Sequence, residues 1–170
     1  MNNKEKYCTF FGHRNTVLTP EQQNSLYMLI ENLILNKNVT NFVFGSKSNF
    51  DDICYKQVSI LKKKYTNIKC IAYVCKHEWA CLYNKVELQK NITKSITGLD
   101  IDYKAFDKIE ECFNKIHNGK NAYIYRNQLM IDKCDYIIIY YNNSYTIHTN
   151  SGTKLALNYA KRKHKQIIYI

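Results

Sequence analysis

Several short segments of this 170-residue chain combine small, polar and basic residues in patterns suited to holding an anion. The first is Phe10-Phe11-Gly12-His13-Arg14-Asn15-Thr16. Gly12 permits a tight turn and the close approach of a ligand. Arg14 carries a planar fork of donors that matches phosphate or carboxylate. His13 either donates to an anion and moves protons or packs as a satisfied core residue. The second segment, Gly45-Ser46-Lys47-Ser48-Asn49-Phe50-Asp51, leads into a helix, whose first N–H groups and dipole attract negative charge. Asn49 and Asp51 are candidates to cap that helix, and Asp51 is also a candidate to hold a ribose hydroxyl. The third, Asn150-Ser151-Gly152-Thr153, stands before the last long helix. There Ser151, Thr153 and the amides around Gly152 can surround a phosphate, although the pattern is neither a P-loop nor G-x-G-x-x-G. Arg126 and Asn127, within Tyr125-Arg126-Asn127-Gln128, stand where they could reach the same guest; the alternative for Arg126 is a surface or salt-bridging role. Tyr123, Tyr125, Tyr140, Tyr141 and Tyr145 crowd this region as core or rim residues, with one available to stack on a base.

The elements that must position these residues alternate. Tyr7 to Phe11 reads as a strand ending at Gly12. Thr19-Pro20-Glu21-Gln22 opens a helix with a capping box and a first-turn proline, followed by Leu26, Leu29, Ile30, Leu33 and Ile34 at helical spacing. Asn41 to Gly45 is a strand, Asp51 to Tyr65 a helix and Ile68 to Val74 a strand. A short helix is expected near Leu82–Gln89 and another over Asp102–His117, where Phe106, Ile109, Cys112, Phe113 and Ile116 fall on one side. Tyr123 to Asp132 is helical, Asp135 to Tyr141 a strand covered on both faces, Asn142 to Asn150 a polar loop, Ser151 to Lys163 a helix and Gln166 to Ile170 a last strand. Strands alternating with helices predict an α/β fold: a Rossmann-like, doubly wound, mainly parallel sheet of about five strands flanked by helices. One domain over 1–170 is expected, with its ligand beyond the strand C-termini.

Composition narrows the partners. A net charge of +11 favours anions, but Lys is scattered, with local runs only at Lys62–Lys64 and Lys161–Lys165. No apolar run approaches the roughly 18 residues of a membrane span and no signal peptide is visible, so a cytoplasmic protein without membrane attachment is expected. The seven Cys are then reduced thiols, with Cys8 and Cys70 as small core residues. Cys75, His77 and Cys81 lack a tight C-x-x-C pair and a second cluster, so no metal is expected, and no motif calls for a cofactor.

Four segments in order, F-F-G-H-R-N-T at Phe10–Thr16, F-x-F-G-S-x-S-N-F-D at Phe42–Asp51, R-N-x-x-M-x-D at Arg126–Asp132 and S-G-T-K-x-A-x-x-Y-A at Ser151–Ala160, carry a resemblance. Together they resemble the YpsA-type branch of the SLOG superfamily, the Rossmann-like group that includes the LOG phosphoribohydrolases and the DprA DNA-processing domain. The resemblance implies a nucleotide-sized pocket formed by Gly12, His13, Arg14, Gly45, Asn49, Asp51, Arg126, Asn127, Ser151, Gly152 and Thr153, and a homo-oligomer. The function it implies first is binding of a nucleotide or nucleotide-derived small molecule. Hydrolysis or transfer at a nucleotide N-glycosidic bond is the alternative. DprA-like binding of single-stranded nucleic acid is a second and less favoured one. LOG-type enzymes carry P-G-G-x-G-T-x-x-E, whereas Ser151 to Ile170 contains no Asp or Glu. Hydrolysis through an oxocarbenium-like state would need a carboxylate on that face, so Asp51, Asp132 or His13 would have to substitute.

Overall fold

Three consecutive isoleucines between tyrosines leave no polar face for water, and Tyr136 to Ile139 are all buried. In the computed structural model, which describes residues 4–45, 48–75, 106–112, 120–141 and 151–170, this run lies inside a six-stranded sheet. The elements are β1 (Lys6–Gly12), α1 (Pro20–Lys37), β2 (Val39–Phe44), α2 (Asn49–Lys64), β3 (Lys69–Val74), β4 (Lys108–Glu111), α3 (Lys120–Lys133), β5 (Tyr136–Tyr140), α4 (Gly152–Arg162) and β6 (Gln166–Tyr169). The strand order is β4-β3-β2-β1-β5-β6, and every pair is parallel. The architecture is the expected Rossmann-like α/β arrangement, with one strand more than the five anticipated.

Period-two alternation in β1 divides the core into two layers. Cys8 and Phe10 face α1 and α2, where Leu26, Ile30, Val58 and Leu61 meet Phe42 and Phe44 of β2. Phe11 faces α3 and α4, packing with Val43, Met130, Ile131, Ala156 and Leu157. The start of α1 follows from its sequence: Thr19 accepts from the Gln22 N–H, the Gln22 side chain returns a bond to the Thr19 N–H, and Pro20 occupies the first turn. Asn38 closes the helix in the left-handed region at φ 57°. Among the described residues no helix is long and apolar enough to cross a membrane.

The expected helix over Asp102–His117 is corrected where it is described. Lys108–Glu111 forms the edge strand β4, paired with Ile71–Val74 of β3. Spacings of three at Phe106, Ile109 and Cys112 imitate a helical face, but pairing with the open side of β3 decides the conformation. Asp107 locks the join, its N–H donating to the Cys70 carbonyl and its carboxylate accepting from the Cys70 N–H and Lys62. Phe106 packs with Phe44 and Tyr55. The helix expected near Leu82–Gln89 and the polar loop Asn142–Asn150 lie outside the described residues.

Candidate functional site

From β1 the chain winds outward through β2, β3 and β4, then returns to place β5 and β6 on the other side. Strand order therefore reverses between β1 and β5, where Gly12 and Tyr140 stand side by side at the C-terminal edge. Connections leaving neighbouring strands in opposite directions open a crevice at such a point. The starts of α2 and α4 lie on this same edge, because each follows the end of a strand.

The first and second sequence segments meet directly. The Asn49 N–H donates to the Arg14 carbonyl at 2.9 Å, tying the loop after β1 to the start of α2. Arg14 itself is exposed. His13 is only 8% exposed, and its ring lies 5.4 Å from that of Tyr141 beyond β5, while its carbonyl accepts from the N–H and hydroxyl of Thr16. Gly12 has a packing role that its sequence context does not reveal. A Cβ there would overlap the Cβ and Cγ of Phe50, which is fully buried and stacks on Tyr140 at 5.8 Å. The missing side chain is space for α2.

The cap of α2 is Ser48, not Asn49 or Asp51. The Ser48 hydroxyl accepts from the Asp51 N–H at 3.1 Å and lies 3.3 Å from the Asp51 carboxylate. Asn49 is the exposed first helical residue. Sequence reasoning passed over Ser48, although S-x-x-D before an apolar run is a capping-box signal. Asp51 is 8% exposed, and its charge, after burial, raises the Cys54 thiol one turn on. With Asp51 and Asp52 in its first turn, α2 already has its dipole countered.

The start of α4 differs. Ser151 caps it by accepting from the Lys154 N–H at 3.1 Å, and its first turn contains no acid. Gly152 is exposed and Thr153 buried. Arg126 is 3% exposed and is the one buried Lys or Arg among the described residues, which removes its surface alternative. It lies against Gly45, just past β2: a Cβ on Gly45 would stand 3.1 Å from the Arg126 Nη2 and 3.1 Å from the Met130 sulfur. The guanidinium is also 5.3 Å from the Tyr123 ring and 3.5 Å from the Asn127 Oδ1. Asn127 and Gly152 line one groove of about 70 Å³ between α3 and α4, with Gln128 and Tyr159.

The sequence-assigned residues thus fall into groups: Gly12, His13, Arg14, Asn49 and Asp51 around the start of α2, Gly45 against Arg126 of α3, and Asn127 across a groove from Gly152, beside which Ser151 and Thr153 open α4. Asp132 belongs to none of them. It accepts from the Tyr159 hydroxyl at 2.9 Å and pairs with Lys163 near the ends of α3 and α4, at the opposite edge of the sheet, so it cannot replace a missing carboxylate at the crevice. Cys75 is buried; His77 and Cys81 lie outside the described residues. No protein-family model and no curated protein sequence matches the chain.

Proposed function

We propose that this protein binds a small, phosphate-bearing nucleotide-type ligand in the crevice between β1 and β5, as a relative of the YpsA-type SLOG proteins. One observation carries the reading: at the point of strand reversal stands a helix, α4, whose first turn holds no acid. Arg14, exposed on the facing loop, supplies a second phosphate contact. The start of α2, carrying Asp51 and Asp52, is suited to sugar hydroxyls instead of phosphate.

Thermal unfolding of the whole chain with nucleoside mono-, di- and triphosphates tests this. A ligand at about 100 times its Kd adds about 2.7 kcal/mol, a rise of roughly 5–10 °C for a chain of this size. Arg14→Ala should abolish the rise without moving the unliganded Tm. No response to any nucleotide removes the proposal. Release of free base in the same mixtures would convert it to the hydrolytic alternative.

A further inference from the structure

The two lysine runs have no part in the crevice, and the fold puts both at the other end of the molecule. In a parallel sheet every strand starts at one edge, and each helix that leads directly into a strand ends there too. The strands β1, β3 and β4 open with Lys6, Lys69 and Lys108. The helices α1 and α2 close with Lys37 and with Lys62, Lys63 and Lys64. The remaining two, α3 and α4, close with Lys133 and with Lys161 and Arg162, and Lys163, His164 and Lys165 follow in the turn before β6. Among the described residues the acids beside them pair with members of this row: Glu5 with Lys69, Glu31 with Lys64, Asp107 with Lys62, Glu110 with Lys108 and Asp132 with Lys163, while Asp135 accepts from the Tyr7 N–H. Lys6, Lys37, Lys63, Lys133, Lys161 and Arg162 make no ion pair among the described residues. Among the described residues the opposite edge is mixed, with Glu21, Asp51, Asp52 and Glu111 set against Arg14, Lys56, Lys120 and Lys154.

Helix dipoles favour a basic residue in each last turn, but they do not require the lysines that begin the strands or the run after α4. Several of these cations rest on aromatic rings. Lys133 lies 4.3 Å from the Tyr7 ring centroid, Lys6 5.9 Å from Tyr136 and Arg162 5.4 Å from Tyr159. The chain has no single stretch interleaving basic and aromatic residues; the fold assembles one from four elements. Six strands at about 4.8 Å spacing make the basic edge roughly 24 Å long, a row that matches a linear polyanion.

We propose that this N-terminal edge of the sheet is a second binding surface, which holds nucleic acid by its phosphates without reading bases. It is independent of the crevice and of whatever occupies it. The test is fluorescence anisotropy of the whole chain with a labelled 20-nucleotide single strand and the matching duplex, from 50 to 300 mM KCl. Engagement of about four phosphates gives a log–log salt slope near −3 to −4. Lys37, Lys63 and Lys161 are exposed and make no ion pair among the described residues, so the triple variant K37Q/K63Q/K161Q should keep its Tm. It should flatten the slope by about 2 and weaken binding at least tenfold. The control K56Q/K120Q/K154Q removes the same charge away from that edge and should leave the slope unchanged. Any one of three results overturns the proposal: no binding of either nucleic acid at 50 mM salt, equal loss in both triple variants, or capture by phosphatidylserine vesicles with no binding to nucleic acid.

Discussion

Replacing Gly12, Gly45 and Gly152 by alanine adds the same methyl group at three points of the candidate site, and the surroundings set three different outcomes. At Gly12 the methyl collides with the Cβ and Cγ of Phe50. The Cβ is fixed by the backbone of α2, so no rotamer of Phe50 relieves the overlap and the first turn of the helix must move. Overpacking of this kind costs about 1–3 kcal/mol. The upper end applies here, because Phe50 is fully buried and stacked on Tyr140. With a urea m-value of about 2 kcal/mol/M, the unfolding midpoint should fall by roughly 1–1.5 M. At Gly45 the neighbours are the Arg126 guanidinium and the Met130 sulfur at 3.1 Å, both ends of flexible side chains. They can yield by a few tenths of an ångström, so the change should stay within about 1 kcal/mol. At Gly152 nothing lies within 4 Å, and the residue is an exposed helical one, so alanine should stabilise by roughly 0.5–1 kcal/mol. Urea unfolding of the three variants checks the order. A Gly12→Ala midpoint within 0.3 M of the parent would refute the argument, as would a Gly152→Ala protein less stable than the parent.

Further outcomes follow from the joins between elements. Burial pulls the Asp107 carboxyl upward, but the Lys62 ammonium and the Cys70 N–H outweigh it, so its folded pKa lies below the ordinary value. The unfolded chain then binds the extra proton, and the stabilisation is complete above about pH 4, disappearing as pH falls through the folded value. Because Asp107 and Lys62 are each about a third exposed, Asp107→Asn should destabilise by only about 0.5–1 kcal/mol at pH 7 and by less at pH 3; an undiminished difference at pH 3 would count against this account. His164 sits in the left-handed region at φ 51°, with the Lys165 N–H reaching back to the Ala160 carbonyl. His164→Gly should raise stability by about 0.5–1 kcal/mol in thermal unfolding, and a lower Tm would contradict the assignment.

Where local chemistry and long-range packing agreed, the sequence was readable. Thr19, Pro20 and Gln22 satisfy the first turn of α1 by themselves, and the isoleucines of β5 suit only a position covered on both faces. Lys108 to Glu111 was not readable, because a charged four-residue strand has no apolar alternation and depends on the free side of β3. Ser48 cannot be told from Asn49 and Asp51 as the cap of α2 by sequence, because Ser, Asn and Asp all cap well and only the fold separates a side chain before the first turn from one within it. The burial of Arg126 against Gly45 cannot be inferred from sequence, since helical periodicity does not reveal a guanidinium among core residues. The basic edge was invisible for a different reason: its members are scattered along the chain, and only parallel topology gathers them.

The buried cysteines offer a means of observing how the protein opens. Burial pushes the thiols of Cys8, Cys54 and Cys134 well up from their ordinary value, and that of Cys70 up to about 12, so thiolate is scarce while the fold is closed. Alkylation must wait for exposure. Cys54 reports the layer under α2, Cys134 the junction of α3 with β5, and Cys112 the far end of the edge strand. Labelling rates resolved peptide by peptide would show whether these regions breathe separately or only when the whole molecule comes apart.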